Sequence, residues 1–496
     1  KPIKPMIKGL FTYPLFMGSW LLINFKCLFK RETNWEKITH NRSIKIDDVS
    51  EKVEEIEKYC LNCKTKPCSM NGCPLNNDIP AFIHEKDSKK GFEILCNTTV
   101  LPAICGRICP HAKQCQGSCI RGIKGEPVEI GFVEKTIGDI GIEEGYKIPK
   151  FNEISKNIVG KKVAVIGGGP AGLTCSAFLA RNGINVTIFE KNELLGGILT
   201  HGIPEFRLPK EVTEKSINKI LELGINVKFN KELGKNLLIE ELQDEFDAIF
   251  VAIGANIPAK MGVEGESIQG VYGGNSLLET GNHPDYKNKK VAVIGGGNVA
   301  MDCARTIIRM GAEEVNVIYR RAREQMPAET KEIESAENEG VKFLFQTNIV
   351  KILGSQELEE SEKINNELEE NNSHDATYNV TNKKRNVSKI ECVKTKLVSK
   401  PGETRLSPVN IEGSNFVIPV DYVIMATGSN PDENVIADFE KNRWGYINVD
   451  ENMQTSIPKV FAGGDIVGEK ATVAWAARSG RNSAEKIIQY LENKNA

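Results

Sequence analysis

The sequence predicts an α/β protein made of two related parallel-sheet units, one interrupted by the other, behind a helical, cysteine-dense N-terminal segment. Three observations carry the prediction. "VAVIGGG" occurs at residues 163–169 and again at 291–297, 128 positions later. Each copy is an apolar run into a glycine turn, followed by a helical pattern and a second strand, so one supersecondary unit is present twice. Two shorter echoes, "VAIGAN" (251–256) and "MATGSN" (425–430), each end an apolar strand and read as the outward and return crossings between the units. Nine of the 13 cysteines fall between Cys60 and Cys119, in a stretch that lacks strand-like runs and is punctuated by Gly and Pro.

The remaining composition is that of an ordinary globular protein. Its 496 residues, 40% hydrophobic and 26% charged, suffice for several cores. A net charge of −2 gives no overall pull towards nucleic acid or an anionic membrane. The odd cysteine count, with no convincing secretory signal, argues against a disulfide framework and for a reducing, cytoplasmic setting. Residues 9–29 are apolar, but Lys26 interrupts them and Pro14 and Gly18 weaken them, so a clean span of about 20 residues is not formed. We expect residues 1–46 to be an arm that packs on the body or on a partner, with membrane contact as the alternative.

In chain order, helical spacing over residues 47–60 leads into the cysteine region, and a helical domain is expected to residue 155. The first dinucleotide-type unit is expected over 156–285, the second over 286–425, and the return to the first over 426–496. Residues 354–386, polar and low in complexity, read as a solvated insertion.

The first glycine turn has Gly167, Gly169 and Gly172 in G-x-G-x-x-G spacing, with Pro170 and Ala171 opening the helix. Glu190 ends the next strand, 18 residues after Gly172, and Lys191 follows it. This is the context a dinucleotide fingerprint requires. Gly167 permits the turn, Gly169 admits a pyrophosphate, and Gly172 lets helix and strand pack closely. Helix N–H groups face the phosphates, and Glu190 is positioned for ribose hydroxyls. The bland alternative is a tight turn without ligand. The second turn has Gly295, Gly297, Asn298 and Ala300. Its strand ends in Arg320, Arg321 and Arg323 rather than an acid, which favours a 2′-phosphate and hence NADP(H), with Arg320 and Arg321 as the contacts. A solvated arginine run is the alternative.

Near the C-terminus a short strand ends in Gly463, Gly464 and Asp465, and a helix is expected from about Ala471. From the residues alone this could be only a strand-ending turn. It resembles the late segment of the flavoprotein pyridine-nucleotide oxidoreductases, which lines FAD. That resemblance implies that Asp465 holds the ribityl–phosphate side, that Thr472 stands where a helix N-terminus faces the flavin, and that the loop ending at Gly197 lies near FAD. No C-x-x-C or C-x-x-x-x-C pair stands beside either glycine turn, and Cys175 and Cys303 read as lone packing thiols. The N-terminal cysteines have the spacing Cys60-x2-Cys63-x4-Cys68-x4-Cys73 and Cys105-x3-Cys109-x5-Cys115-x3-Cys119, with Pro74 and Pro110 each following a cysteine. Iron–sulfur clusters fit this better than zinc or structural thiols, because one-electron carriers give a flavin its outlet.

The combination resembles the glutamate synthase small-subunit family, which also takes in the large subunit of the bifurcating ferredoxin:NADP oxidoreductase and the N-terminal half of dihydropyrimidine dehydrogenase. "LPAICGRICP" (101–110) and "GEPVEIGFVEK" (125–135) are the most specific stretches, and the resemblance covers roughly residues 50–496 apart from the insertion. It implies an α/β fold of two Rossmann-like dinucleotide-binding domains, the FAD domain interrupted by the NADPH domain, behind a helical domain with two [4Fe–4S] clusters. It implies crosswise ligation: Cys60, Cys63, Cys68 and Cys119 at one cluster, Cys73, Cys109, Cys115 and Glu134 at the other, with Cys96 and Cys105 as non-ligands. Four residues separate Cys68 from Cys73 where several relatives have three, and a surface carboxylate is the alternative reading of Glu134. The expected function is NADPH oxidation through FAD and the clusters, with no side-chain acid, base or nucleophile required, feeding a large glutamate synthase subunit. The alternatives are a bifurcating oxidoreductase subunit with a ferredoxin-type partner, and an electron-transfer module without turnover of its own.

Overall fold

In the computed structural model, residues 46–355, 386–399 and 406–493 are described. Residues 1–45 of the expected arm and 356–385 of the expected insertion lie outside them. No strand occurs among residues 46–161. Instead the chain forms helices Ile46–Tyr59, Ile79–His84, Ser88–Cys96, Pro102–Ile108 and Ile130–Glu143. Local chemistry sets their starts. The Asp87 carboxylate accepts from the amides of Lys89 (2.9 Å) and Lys90 (3.3 Å), and prolines occupy the first turns of Ile79–His84 and Pro102–Ile108, where no amide donor is needed. The last two helices approach backbone to backbone. A Cβ at Gly106 would stand 2.3 Å from the Lys135 amide nitrogen, and one at Gly138 would stand 2.3 Å from that of Ala103.

The strands follow in order: β1 (Lys162–Ile166), β2 (Asn185–Phe189), β3 (Asn226–Lys228), β4 (Ala248–Val251), β5 (Ile257–Pro258), β6 (Val271–Gly273), β7 (Lys290–Ile294), β8 (Glu314–Tyr319), β9 (Lys342–Phe345), β10 (Thr347–Gly354), β11 (Val387–Val398), β12 (Ser407–Asn410), β13 (Phe416–Pro419), β14 (Tyr422–Met425), β15 (Ser429–Asn430) and β16 (Val460–Ala462). The first parallel sheet has the order β16-β4-β1-β2-β3 and the second β6-β14-β7-β8-β9. The first thus closes only when the chain returns from the second. The two crossings pair with each other as the antiparallel ribbon β5–β15, which accounts for the paired "VAIGAN" and "MATGSN" echoes. β10, β11, β12 and β13 form an antiparallel sheet, and Ile349, Ile352, Ile390 and Cys392 pack beneath Ala292, Ile294 and Ile318 of the second parallel sheet.

The second sheet takes its edge strand β6 from before residue 286, the boundary expected from the sequence. Three residues, Val-Tyr-Gly, are too few to show a period. The "VAVI" strands are buried throughout, as strands covered on both faces must be. The described residues from Lys52 onward form one compact unit.

Candidate functional site

Each glycine turn is shaped by the crossing that lies against it. Gly167 has φ 102°, and a Cβ there would stand 2.5 Å from the Ala252 carbonyl; Gly295 has φ 144°, and a Cβ would stand 2.2 Å from the Ala426 carbonyl. Only glycine tolerates both the positive φ and the approach. A Cβ at Gly172 would meet the Gly167 carbonyl at 1.9 Å, so this glycine serves helix–strand packing. The middle glycines differ. Around Gly169 an added Cβ meets nothing within 4 Å, and around Gly297 it meets only Pro327 Cγ, at 4.0 Å. Nothing in the chain requires glycine there, and the space before the helices Pro170–Arg181 and Asn298–Arg309 is what a pyrophosphate on helix N–H groups occupies.

Glu190 is buried behind the first turn. Its carboxylate accepts from the Gly168 amide (2.7 Å) and the Asn192 amide (2.9 Å), leaving acceptor capacity for a ribose. Lys191 faces Glu279, at 3.6 Å. Gly197 closes on the turn, its hypothetical Cβ 3.1 Å from Gly169 Cα. In the second unit Asn298 Oδ1 accepts from the Glu329 amide (2.9 Å), and Ala300 is fully buried. Arg320 directly follows β8 and is exposed. Arg321 Nε donates to the Leu406 carbonyl (3.1 Å), and Arg323 is committed to Glu337. Arg320 is therefore the guanidinium most available to a 2′-phosphate.

After β16, Gly464 donates its amide to Ser479 Oγ (2.9 Å), and Asp465 stands at the edge of the first turn. Burial, with Glu469 nearby, raises the Asp465 carboxyl to about 6, and its Oδ1 is buried without a partner. A buried orphan acceptor beside a glycine cradle fits the hydroxyl-bearing chain of a flavin nucleotide. Thr472 caps helix Val473–Asn493, its Oγ1 accepting from the Trp475 amide (3.4 Å).

The cysteines gather in two sets. Cys60, Cys63, Cys68 and Cys119 line one recess, of about 360 Å³ with its mouth, whose walls include Ile79, Ile83, Val128 and Ile130. Burial, and beyond it Cys63 and Cys119, holds the Cys60 thiol up. In the second set burial, then Glu134, pushes Cys73 up to about 12. Cys115 is raised by burial and then by Cys73 and Glu134, and Cys109 by its contact with Cys105, then by burial and Glu134. Glu134 is buried, raised by burial to about 8, and accepts from Asn77 Nδ2 (3.1 Å). Crowded thiols that resist ionising alone are what a strongly cationic centre stabilises as thiolates. Among the described residues no three His, Cys, Asp or Glu side chains close around a single-ion point. Four thiols on one recess, and three thiols with a buried carboxylate in the other set, are donor sets that [4Fe–4S] clusters accept. All the cysteines among the described residues are free thiols.

A π-turn at Cys68–Gly72, closed by the Cys73 amide on the Cys68 carbonyl (2.8 Å), absorbs the fourth residue between Cys68 and Cys73, as single-residue insertions in helical turns do. It carries Cys73 out of the first set and towards Cys115. Cys105 is buried beside Cys109 and lies 3.9 Å from Thr99 Oγ1. Cys175 and Cys303 are fully buried in their helices.

Three functional neighbours escaped the sequence reading. Asn77 orients Glu134. Gly480, in the middle of the last helix, allows contact with the first-turn helix at Ala171. Arg481 reaches from that same helix to the carbonyls of Leu75 (2.8 Å) and Thr98 (3.1 Å) in the cysteine domain. A glycine inside a strongly helical run is a usable signal; the other two depend on partners remote in sequence.

The pyridine nucleotide-disulphide oxidoreductase family model matches residues 161–480. The model for dihydropyrimidine dehydrogenase domain II, 4Fe-4S cluster, matches residues 37–146. The glutamate synthase [NADPH] small chain of Escherichia coli (strain K12) is 34% identical over 87% of this chain and 90% of its own length. The beta subunit of an NADP(+)-dependent formate dehydrogenase from Moorella thermoacetica is 35% identical over 86% of this chain, which spans 60% of that protein. Among solved structures, Mycobacterium tuberculosis FprA in complex with NADPH superposes with TM-score 0.56 at 17% identity, over 68% of this chain and 85% of that one, a likeness of fold. An FAD- and NADP-binding pair of domains and a 4Fe-4S domain are thus present in one chain, and the chain belongs to the pyridine nucleotide-disulphide oxidoreductases, within the glutamate synthase small-chain family.

Proposed function

We propose that this oxidoreductase takes electrons from NADPH and delivers them, through FAD and two [4Fe–4S] clusters, to a larger partner subunit that makes glutamate. When bound, FAD would accept one hydride, two electrons together, and the clusters would carry electrons away singly. The chain's own residues bind and orient. Arg320 and Arg321 select the 2′-phosphate at the second turn. Glu190 and Asp465 hold the flavin nucleotide at the first, and the capped end of Val473–Asn493 directs its positive dipole there. Cys60, Cys63, Cys68 and Cys119 hold one cluster; Cys73, Cys109, Cys115 and Glu134 hold the other. The observation that carries this reading is the last helix, which begins at Thr472 beside the flavin site and, at Arg481, bonds the cysteine domain and lies within electrostatic reach of Cys73. Donor and outlet are joined by one rigid element.

Leu61, Met70, Ile120 and Ile123 are exposed apolar side chains next in sequence to, or within four residues of, first-set cysteines. Such a rim supports a protein partner at that end. Among the described residues no helix is long and apolar enough to cross a membrane.

The test is anaerobic. NADPH should bleach the flavin band of purified protein and reduce a dye, and R320A should raise KM for NADPH roughly 10- to 100-fold, the worth of one charge-assisted contact, while leaving NADH oxidation unchanged. Protein with zinc, or without acid-labile sulfide, would sink the reading. Turnover with ferredoxin and NAD, but none with 2-oxoglutarate, glutamine and a large synthase subunit, would move the chain to the bifurcating branch.

A further inference from the structure

The loop His111–Lys113 lies between Cys109 and Cys115. Its last residue leaves the cysteine domain altogether: Lys113 Nζ donates to the carbonyls of Met326 (2.7 Å) and Ala328 (2.6 Å), more than two hundred residues away in the nucleotide-binding unit. The far side of that short segment is bonded to the second glycine turn. The Ala328 amide donates to the Gly296 carbonyl (3.0 Å) and the Glu329 amide to Asn298 Oδ1 (2.9 Å). Pro327, between them, is what an added Cβ at Gly297 would first meet, and Met326 and Ala328 are buried. Residues 326–329 are therefore a strap with the cysteine domain on one side and the turn on the other.

We infer that Lys113 is a positioning residue for the nicotinamide dinucleotide: by holding the strap it fixes the turn at Gly295–Asn298 in the shape a pyrophosphate needs. An ammonium has three donors and no acceptor, and two of them here hold carbonyls of one segment. Without that charge-assisted pair, the tie to the cysteine-domain loop falls to the bond of the Glu329 carboxylate with the Ala112 backbone, and turn and strap can move together more freely. Because the loop that supplies Lys113 is framed by two second-set cysteines, the order of that set and the affinity for the nucleotide become linked, and the linkage is reciprocal. This inference rests on the reading of the second turn as the NADP(H) site.

The test uses the full chain with its cofactors, comparing wild type with K113A, K113Q and K113R. K113A should weaken NADP+ binding in equilibrium dialysis about tenfold, about 1.4 kcal/mol. K113Q, which keeps a donor without the charge, should fall between, and K113R should stay within about threefold of wild type by the same scale. KM for NADPH should rise in parallel with kcat unchanged, and flavin, iron and sulfide should match wild type. Amide hydrogen exchange at Ala328 and Glu329 should speed up in K113A. Should K113A lose iron, K113Q carries the comparison. Wild-type affinity and wild-type exchange in the variants overturn the inference. A wild-type protein that binds no NADP+ overturns the site reading instead, and the exchange measurement still decides whether Lys113 holds the strap.

Discussion

Gly480 offers a sharp perturbation because two effects of opposite sign compete there. It lies in the middle of the 21-residue helix Val473–Asn493, where replacing glycine by alanine should in isolation stabilise the helix by about 1 kcal/mol. But a Cβ at Gly480 would stand 2.1 Å from the Ala171 carbonyl oxygen and 2.9 Å from its carbon. Both are backbone atoms of the first helical turn after the first glycine loop, and they cannot rotate aside. To reach 3.0 Å the two helices must part by about 0.9 Å. Overpacking of this kind costs about 1–3 kcal/mol. The displaced turn is the one whose amides face the flavin pyrophosphate in our reading, and 0.9 Å added to a hydrogen bond of about 2.9 Å leaves it outside bonding range. One lost charge-assisted bond, about 1.5–3 kcal/mol, weakens FAD binding roughly 10- to 100-fold. G480A should therefore purify with less than stoichiometric flavin and bind added FAD weakly, while NADP+ affinity, which belongs to the other sheet, stays at its wild-type value. Stoichiometric flavin with a wild-type Kd and a raised melting temperature would show that the propensity gain wins and that the close approach is not needed.

Two further outcomes follow from the same geometry. G169A and G297A should each leave thermal stability within about 0.5 kcal/mol of wild type, as surface substitutions do, because an added Cβ meets no chain atom closer than 4.0 Å; G169A should nonetheless lose FAD and G297A should lose NADP(H), as isothermal titration would read, and an unfolded variant in either case would contradict the assignment of that space to a cofactor. Asp302 is buried on Arg207, 2.6 Å away, yet burial outweighs the guanidinium and raises its carboxyl to about 6. The folded pKa exceeds the unfolded value of about 3.9, so the folded state holds the extra proton between the two. The stability this group contributes is full below about pH 4 and is lost as pH rises through about 6, about 3 kcal/mol in all. D302N removes that slope, and the melting temperature of the variant minus that of wild type should rise from pH 4 to pH 7; a flat difference would refute the protonation argument.

The two sheet units were legible because "VAVIGGG" encodes strand burial and turn conformation in seven residues, and the turn needs glycine for reasons of φ and contact that hold whatever surrounds it. β6 and the antiparallel sheet β10–β13 were not, since short strands and a strand pair separated by a polar stretch show no period of their own. At the site, cysteine spacing was enough to point to iron–sulfur clusters, whereas the crosswise division into two sets came from the family resemblance, and the π-turn after Cys68 is a hydrogen-bond register that no composition reveals. Lys113, Arg207 and Arg481 had no sequence signature at all. Each is one basic residue among many until the fold brings a distant carbonyl or carboxylate to it.

The distribution of the cores gives these contacts a common meaning. One continuous apolar cluster runs from Leu75, Leu95 and Ile104 of the cysteine domain through Val163, Leu173 and Ile188 to Ala477 and Leu491, so the cysteine and flavin domains share a single interior. The nucleotide-binding unit has clusters of its own, around Val293, Met301 and Val317 on one face and Ile318, Ile352 and Ile390 on the other. Among the described residues the ties from that unit to the rest include the ribbon β5–β15, the Arg207–Asp302 pair and Lys113. Close packing transmits no slack, whereas a short ribbon and polar ties can be remade at small cost. Fixed geometry is needed where electrons pass between flavin and iron at every turnover, and adjustable geometry where a nucleotide must enter and leave. The chain spends its apolar residues on the first and its hydrogen bonds on the second, which is why substitutions at Gly480 and Lys113 should fail in different ways: one by losing a cofactor, the other by loosening a substrate.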